Sequence, residues 1–243
     1  MTASALDDVL VLDLTAAVSG AGAGKLLADL GARVVVVEPE GGSAFRAHGL
    51  FDYCSGGKES LVPADTAELA PWLAAADVVL TDRSSRWHRA AVDARDDATV
   101  LVDLSPFGRS GPYAEWASSD LVTWAMGGYL YFTGSPDREP IWVPGPQAQL
   151  HAACHGALAA LVGLHERERS GRGQVVSTSL YEGLLNWAAG MMSDVEKPTQ
   201  HTQFVPPEDT QPLIHECADG GLIHIVTSIP GALFKMYQVL GID

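Results

Sequence analysis

The sequence has few basic residues. Its 243 residues include 15 Lys and Arg against 30 Asp and Glu, which gives a formal net charge of -15 at pH 7 with the histidines neutral. A chain of this charge is on average repelled by polyphosphate surfaces and by anionic membranes. We therefore expect no nucleic acid and no membrane as a partner. An anionic cofactor is still compatible with the charge where a few Arg or Lys side chains and helix N-termini form a local positive pocket.

Cysteines and long apolar runs are also scarce. Cys54, Cys154 and Cys217 are odd in number and form no C-x-x-C pair, which disfavours a disulfide framework and a zinc ribbon. The N-terminal stretch MTASALDDVLVLDL has acidic residues where a signal peptide needs basic ones. The longest apolar run, residues 152–164, is shorter than the roughly 20 residues that span a bilayer. We expect a cytoplasmic protein.

Short apolar strands alternate with helical segments along most of the chain. Residues 9–14 (VLVLDL) and 33–37 (RVVVV) are continuous β-branched and apolar runs, and residues 22–30 between them have a helical pattern. Continuous apolar strands indicate that both faces of the sheet are covered. The pattern predicts an α/β fold with a parallel sheet and helices on both faces. Further helices are predicted at residues 66–76, 87–94, 120–126, 150–169 and 181–192, and further strands at 77–81 and 99–104. Residues 175–180 are either another strand or the segment that leads into the next helix.

The C-terminal part has a different composition. Residues 1–193 form the predicted large domain, and the polar, proline-containing residues 194–211 are a predicted linker. Residues 212–243 contain a hairpin pattern and one helix, which is too little for an independent core. We therefore interpret them as the start of a smaller α+β second domain that is incomplete at residue 243.

A glycine-rich segment, GAGAGK, follows the first strand. A phosphate-binding P-loop needs Ser or Thr after the lysine, where this chain has Leu26. The Rossmann fingerprint also fits poorly, because Lys25 stands where the third glycine belongs. Two interpretations stay open for Gly20 and Gly22: backbone amides that contact a phosphate, or close packing of a helix.

The loop SPFGRSG, residues 105–111, directly follows a predicted strand. It contains one proline and two glycines, so it lies at the carboxyl edge of the sheet, where open α/β proteins bind ligands. We expect a ligand contact there. His151 and His155 are four residues apart on a helix, but no carboxylate accompanies them on that face, and we assign no metal site.

Several segments together resemble the family III coenzyme A transferases. They are DLTAAVSGAGAGKLLADLGARVVVVEPEGG, GGKESL, DLSPFGRSGPYAEWASSDLVTWAMGGYLYFTGSPD and HERERSGRGQVVSTSLYEGLLN, in this order and at the family's spacings. The family includes formyl-CoA and carnitine CoA-transferases and the related α-methylacyl-CoA racemases. The resemblance implies a large domain with a Rossmann-like parallel sheet and a smaller second domain. It also implies coenzyme A or an acyl-CoA as the ligand, and an interlocked homodimer or heterodimer with a longer family III homologue.

The resemblance also implies a covalent mechanism that this chain lacks. The family uses an aspartate that attacks the acyl-CoA carbonyl, and counting back from Glu166 places Gln149 at that position. A carboxamide is a poor nucleophile and has no acidic proton at neutral pH. In the racemase branch a His-Asp pair moves the α-proton, and the position of that His is Ser119 here.

The resemblance implies CoA contacts at several retained residues. Arg46, Lys58 and Arg109 are candidates for phosphate contacts, and Phe107 for stacking near the adenine or pantetheine. The family's Asn-Arg pair before the lysine is Ser55 and Gly56 here. Three hypotheses remain open: a non-catalytic or atypical subunit of a heteromeric acyl-CoA:carboxylate CoA-transferase, an active transferase or racemase that uses other residues, and a CoA-binding module without catalysis.

Overall fold

The computed structural model describes residues 4–133, 138–192, 214–224 and 232–240. Most of the described chain forms one six-stranded parallel sheet with helices on both faces, and a separate two-stranded hairpin lies near the C-terminal end of the sequence. The strands are β1 (Leu10–Asp13), β2 (Arg33–Val37), β3 (Glu59–Leu61), β4 (Val78–Thr81), β5 (Val100–Ser105), β6 (Val175–Ser179), β7 (Ile214–Glu216) and β8 (Leu222–His224).

Most of the described helices lie between successive strands of the sheet. The longest of them has 24 residues. They are α1 (Val18–Asp29), α2 (Phe51–Ser55), α3 (Thr66–Ala75), α4 (His88–Ala94), α5 (Asp120–Met126), α6 (Tyr129–Phe132), α7 (Gln147–Ser170), α8 (Leu180–Met192) and α9 (Ala232–Leu240), with a 3-10 turn at Ala44–Ala47.

Apolar side chains of the central strands alternate between two hydrophobic clusters, one on each face of the sheet. On β4, Val78 and Leu80 pack under α1 and α7, whereas Val79 packs under α3 and α4. All three side chains are fully buried. Burial on both faces explains why these strands are continuously apolar in sequence.

The strand order in the sheet is β3-β2-β1-β4-β5-β6. The chain runs outward from β1 to β3, returns to β4 beside β1, and then runs outward in the other direction. The loops after β1 and β4 therefore diverge at the carboxyl edge and leave a crevice between them, at the topological switch point of a Rossmann-like sheet.

The predicted α/β architecture is confirmed, and the sheet is larger than the predicted elements suggested. β3 has three residues and only a partly buried face, so its sequence (ESL) carries no apolar run that indicates a strand. Helix α1 begins at Val18, four residues before the prediction, so Gly20 lies inside it together with Gly22 and Gly24. The predicted linker, residues 194–211, lies outside the described residues.

Helices α1 and α7 cross in close contact on one face of the sheet. A Cβ built on Gly22 would lie 2.7 Å from the Cβ of Ala153 on α7, and one built on Gly156 would lie 2.8 Å from Leu104. Small residues at these positions let the two helices and the sheet approach one another. This contact brings the first turn of α7 beside the first turn of α1.

Candidate functional site

A cleft of about 440 Å³ opens at the carboxyl edge of the sheet, at the switch point. We call it the switch-point cleft. Its walls come from the loops after β1, β4 and β5 and from the first residues of α7 and α8. Its volume lies within the range of about 300–1,000 Å³ that is usual for small-molecule sites. The lining residues are Ala17, Ser19, Asp82, Arg83, Ser84, Leu104, Ser105, Pro106, Ala114, Glu115, Trp116, Ala117, Ser118, Ser119, Gln149 and Leu180.

Gln149 lies on this wall, in the first turn of α7 and not before the helix as the sequence predicted. Its side-chain Oε1 accepts a hydrogen bond from the backbone amide of Val18 at 3.1 Å. Val18 begins α1, and the residue before it, Ala17, provides no side-chain cap. The Gln149 amide therefore satisfies one of the free N–H groups at the start of α1.

Asp120 is the acidic residue next to Gln149. Its Oδ1 accepts a hydrogen bond from the Gln149 backbone amide at 3.2 Å, and the side chain is buried. Burial raises the pKa of this carboxyl, and the backbone amides of the first turn of α7 oppose that rise. Asp120 is not a lining residue of the switch-point cleft. Its carboxylate accepts a hydrogen bond at the N-terminus of α7, and the N-cap of its own helix is Ser119.

The two glycines considered as phosphate contacts, Gly20 and Gly22, have different environments. Gly20 is the third residue of α1, and its backbone N–H belongs to the free first turn. Gly22 is the fifth residue, so its N–H is used within the helix. Side chains at both positions would overlap neighbouring atoms, from Thr15 at Gly20 and from Ala153 at Gly22. The packing interpretation thus accounts for Gly22, whereas Gly20 remains compatible with both.

A second, smaller cavity of about 130 Å³ lies beside the ends of β1 and β2. We call it the polar pocket. Lys58 lines it with its ammonium buried: Nζ donates to the backbone oxygen of Ala21 at 2.7 Å and lies 3.6 Å from Asp13 Oδ2. The Lys58 ammonium therefore already interacts with two groups of the protein, one hydrogen-bond acceptor and one carboxylate. Lys58 holds α1 against the end of β1.

Arg46 also lines the polar pocket, and it pairs with Glu38 at the end of β2. Arg46 Nε donates to Glu38 Oε1 at 2.8 Å, its Nη2 contacts Oε2, and Ser60 Oγ donates to the same carboxylate at 2.6 Å. The Arg46 hydrogen bond lowers the pKa of Glu38 to about 2. In dinucleotide-binding sheets an acidic residue near this position contacts a ribose hydroxyl. Here the Glu38 carboxylate instead accepts hydrogen bonds from Arg46 and Ser60.

Two arginines hold the loop after β5 over the carboxyl edge. Arg83 Nη2 donates to the backbone oxygen of Arg109 at 2.7 Å, and Nη1 pairs with Glu115. Arg109 Nε lies 3.5 Å from Asp103 Oδ2, and its side chain is 45% exposed. The loop segment that lines the cleft is therefore attached to the sheet through both cations. Phe107 is half-buried, with its ring 6.1 Å from Tyr113 and 6.2 Å from Tyr181.

Asp103, on β5, is a buried carboxylate that sequence reasoning did not select. It is fully buried, and neither of its oxygens has a hydrogen-bond donor among the described residues. Burial raises its pKa, and the nearby charges of His88, Arg109 and Arg83 oppose that rise. In the sequence, Asp103 lies near the end of a predicted strand (TVLVDL), where a polar residue is common. Nothing in the neighbouring residues marks it as a buried carboxylate.

The structure does not bring His151 and His155 into a ligand cluster. His155 Nε2 lies 3.4 Å from Asn186 Nδ2, and burial lowers the pKa of His151. Within the described ranges, no group of three or more His, Cys, Asp or Glu side chains is arranged to hold a metal ion. The described helices also include none that is both long and apolar enough to cross a membrane.

The sheet order and the cleft at the switch point define the class of protein: an α/β protein with a Rossmann-like sheet and a ligand cleft at its carboxyl edge. Residues 6–243 match the model of CoA-transferase family III, and the chain belongs to that family.

Relatives with known activities and structures agree with this assignment. The chain is 32% identical to a succinyl-CoA--D-citramalate CoA-transferase of Chloroflexus aurantiacus over 97% of its own length and 65% of the relative. It is 30% identical to subunit BbsE of succinyl-CoA:(R)-benzylsuccinate CoA-transferase of Thauera aromatica over 52% of its length and 31% of that subunit. A crystal structure of a CAIB/BAIF family protein from Brucella suis superposes with a TM-score of 0.82 at 26% identity, covering 98% of this chain and 70% of that one.

The chain is shorter than these relatives. It spans about two thirds of the length of the curated relatives that it matches along most of its own length.

Proposed function

We propose that this chain is a non-catalytic or atypical subunit of a heteromeric acyl-CoA:carboxylate CoA-transferase. It would bind a CoA thioester in the switch-point cleft, and a partner chain would supply the attacking carboxylate. The observation that carries the proposal is Gln149, an uncharged amide on the cleft wall with its oxygen bonded to the amide of Val18. The relative BbsE, whose name describes it as a subunit of a CoA-transferase, supports a heteromeric arrangement.

The chemistry explains why the amide matters. In the family mechanism that the resemblance implies, a carboxylate oxygen attacks the thioester carbon and expels the CoA thiolate, which leaves a mixed anhydride. The thiolate then attacks the anhydride at the enzyme's carbonyl, releases the first acid and leaves CoA as an enzyme thioester. Both steps need a carboxylate oxygen. The Gln149 amide oxygen is neutral and already accepts a hydrogen bond, so it can serve in neither step.

An active transferase that uses other residues would need a carboxylate on the cleft wall. Asp82 and Glu115 line the cleft, but both are engaged. Asp82 Oδ1 accepts hydrogen bonds from the backbone amides of Ser84 at 2.7 Å and Ser85 at 3.1 Å, and Glu115 pairs with Arg83. Asp120 is buried against α7. The geometry therefore favours the non-catalytic assignment.

Within this proposal, the retained basic and aromatic residues divide into two groups. Arg109 and Phe107 belong to the loop over the cleft and are partly exposed, so they are the CoA contacts that we propose. Lys58 is buried against Ala21 and Asp13, and we propose that it acts on CoA only through the position of α1. Arg46 lines the polar pocket, and about half of its side chain stays exposed although it pairs with Glu38; we propose that it contacts CoA through this exposed part.

The proposal is tested with the purified protein and succinyl-CoA. Calorimetry should show CoA binding, and intact-protein mass spectrometry should show no covalent CoA adduct on wild type. The Gln149→Asp variant should acquire the adduct, and Gln149→Asn, which has the same length as aspartate but no charge, should not.

Three results would overturn the proposal. One is the absence of CoA binding to wild type. Another is turnover of succinyl-CoA with an acceptor acid by wild type alone. The third is a wild-type adduct that peptide mapping places on Asp82, Glu115 or Asp120, which would establish an active transferase with another nucleophile.

A further inference from the structure

One end of the Gln149 side-chain amide is fixed by the protein. Oε1 accepts from the backbone N–H of Val18 at 3.1 Å, at the positive end of the α1 dipole. An N–H group needs an acceptor, so the amide oxygen and not the nitrogen must face the helix. The backbone of Gln149 is fixed as well, because its N–H donates to Asp120 at 3.2 Å.

The other end of the amide is a hydrogen-bond donor without a protein acceptor. With Oε1 directed at α1, Nε2 carries two N–H groups, and no hydrogen bond from it reaches another residue of the described chain. The switch-point cleft is the cavity that Gln149 lines. A half-buried amide nitrogen in a cleft calls for an acceptor from a ligand.

The charges of the cleft indicate which acceptor fits. Among the described residues that line the cleft, Arg83 is the cation, and its guanidinium already donates to the backbone oxygen of Arg109 and pairs with Glu115. Asp82 adds a negative charge. A free carboxylate or a phosphate beside Gln149 would thus have no free cationic side chain among these lining residues to pair with, whereas a neutral carbonyl oxygen would not need one.

From these contacts we infer that Gln149 is a recognition residue for the thioester carbonyl. Its Nε2 donates a hydrogen bond to the carbonyl oxygen of an acyl-CoA, so the cleft binds acyl-CoA more tightly than free CoA, which has a thiol there. The inference rests on the proposed function, and it adds that the cleft distinguishes the thioester of an acyl-CoA from the thiol of free CoA. Gln149, at the position that the resemblance assigns to the attacking carboxylate, thereby has a role in ligand binding.

The sharpest test compares two variants of Gln149. Gln149→Glu keeps the side-chain length and an oxygen for the Val18 amide but replaces the donor nitrogen with a second acceptor. Gln149→Leu removes both polar atoms. The ratio of the CoA and acetyl-CoA dissociation constants is measured by calorimetry for wild type and both variants, with thermal unfolding to confirm that each is folded.

Wild type should prefer acetyl-CoA over CoA by about three- to tenfold, the range of one neutral hydrogen bond, and both variants should lose that preference. Infrared spectra of acetyl-CoA labelled with ¹³C at the thioester carbonyl supply a second measurement. The carbonyl stretch should move to lower frequency on wild type and stay at its solution position on Gln149→Leu.

The outcomes separate the two proposals. Equal ratios in all three proteins, with no infrared shift on wild type, would overturn the recognition role of Gln149 and leave CoA binding intact. Failure of wild type to bind either ligand would overturn the proposed function and this inference together.

Discussion

The side-chain oxygen of Gln149 meets the backbone amide of Val18 at 3.1 Å, so the first turn of α7 caps the first turn of α1. The two residues are 131 positions apart in sequence, and their hydrogen bond joins the two helices at the cleft. The position that the family resemblance assigns to an attacking carboxylate is used here to cap the N-terminus of a helix. The consequences for binding and stability can be tested at the residues around it.

Replacement of Arg83 should loosen the loop over the cleft. Arg83→Gln removes the hydrogen bond to the Arg109 backbone oxygen and the pair with Glu115. We expect faster cleavage of residues 106–116 in limited proteolysis and CoA binding weakened by about three- to tenfold, the range of one or two lost hydrogen bonds. Arg89→Gln is the matched control, because it makes the same charge change in an exposed i,i+4 pair on α4. Equal effects of the two substitutions would contradict a specific role for Arg83.

Gly22→Ala should destabilise the fold although alanine favours helices. The new Cβ would lie 2.7 Å from the Cβ of Ala153, so α1 and α7 must separate. Overpacking of this kind costs about 1–3 kcal/mol in free energy of unfolding, against a gain of about 1 kcal/mol from helix propensity. Urea denaturation measures the difference, with Gly49→Ala, at a position with open space, as the control. A net stabilisation would show that the helix contact can relax without cost.

The Glu38 carboxylate should make stability depend on acid pH. Its pKa is lowered from 4.5 to about 2 by the Arg46 hydrogen bond, so between these values the unfolded chain binds more protons than the folded one. The stabilisation is complete above pH 4.5 and is lost as the pH falls toward 2. Because the Arg46 side chain is half exposed, water screens part of this interaction. We therefore expect Glu38→Gln to lower the free energy of unfolding by about 1–2 kcal/mol at pH 7.

Denaturation curves of wild type and Glu38→Gln at a series of pH values check this expectation. The difference between the two free energies of unfolding should be constant near neutral pH and should become smaller as the pH is lowered. Glu59→Gln serves as the comparison, because Glu59 pairs with Arg33 on the exposed edge of the sheet, where water screens the charges. A pH-independent difference for Glu38→Gln would mean that the carboxylate is not the source of the stabilisation.

Asp103 should have the opposite effect on stability. Burial raises its pKa, so the folded protein binds more protons than the unfolded one as the pH rises above 3.8, and stability falls through that window. Asp103→Asn keeps the shape and removes the charge. We expect the variant to be more stable than wild type at pH 7 by about 1 kcal/mol, with the advantage growing from acid to neutral pH.

Urea denaturation between pH 4 and pH 8 measures this difference. Asp82→Asn is a useful comparison, because Asp82 is also buried at the carboxyl edge but accepts backbone hydrogen bonds from Ser84 and Ser85. Destabilisation by Asp103→Asn at every pH would show that the contact with Arg109 outweighs the cost of burying the charge.

The sequence alone determined the layers of the fold and the family. Runs such as RVVVV are apolar at every position, and only a strand covered on both faces requires that, so the parallel sheet with helices on both sides follows from local pattern. The glycine and strand segments appear in the family's order, which sufficed for the family assignment. Composition also showed that cationic side chains are few, so each could be considered individually.

Only the tertiary structure decided what the candidate site residues contact. Lys58 and Arg46 look alike in sequence, as basic residues near the carboxyl edge, yet one is buried against Ala21 and the other pairs with Glu38. Gln149 accepts a hydrogen bond from Val18, and Arg83 donates one to the backbone oxygen of Arg109, through contacts that no local sequence pattern encodes. The physical reason is that strand and helix periodicity are set by neighbours within a few residues, whereas the hydrogen-bond partners of a buried polar group are set by whichever distant segment the packing brings within about 3 Å.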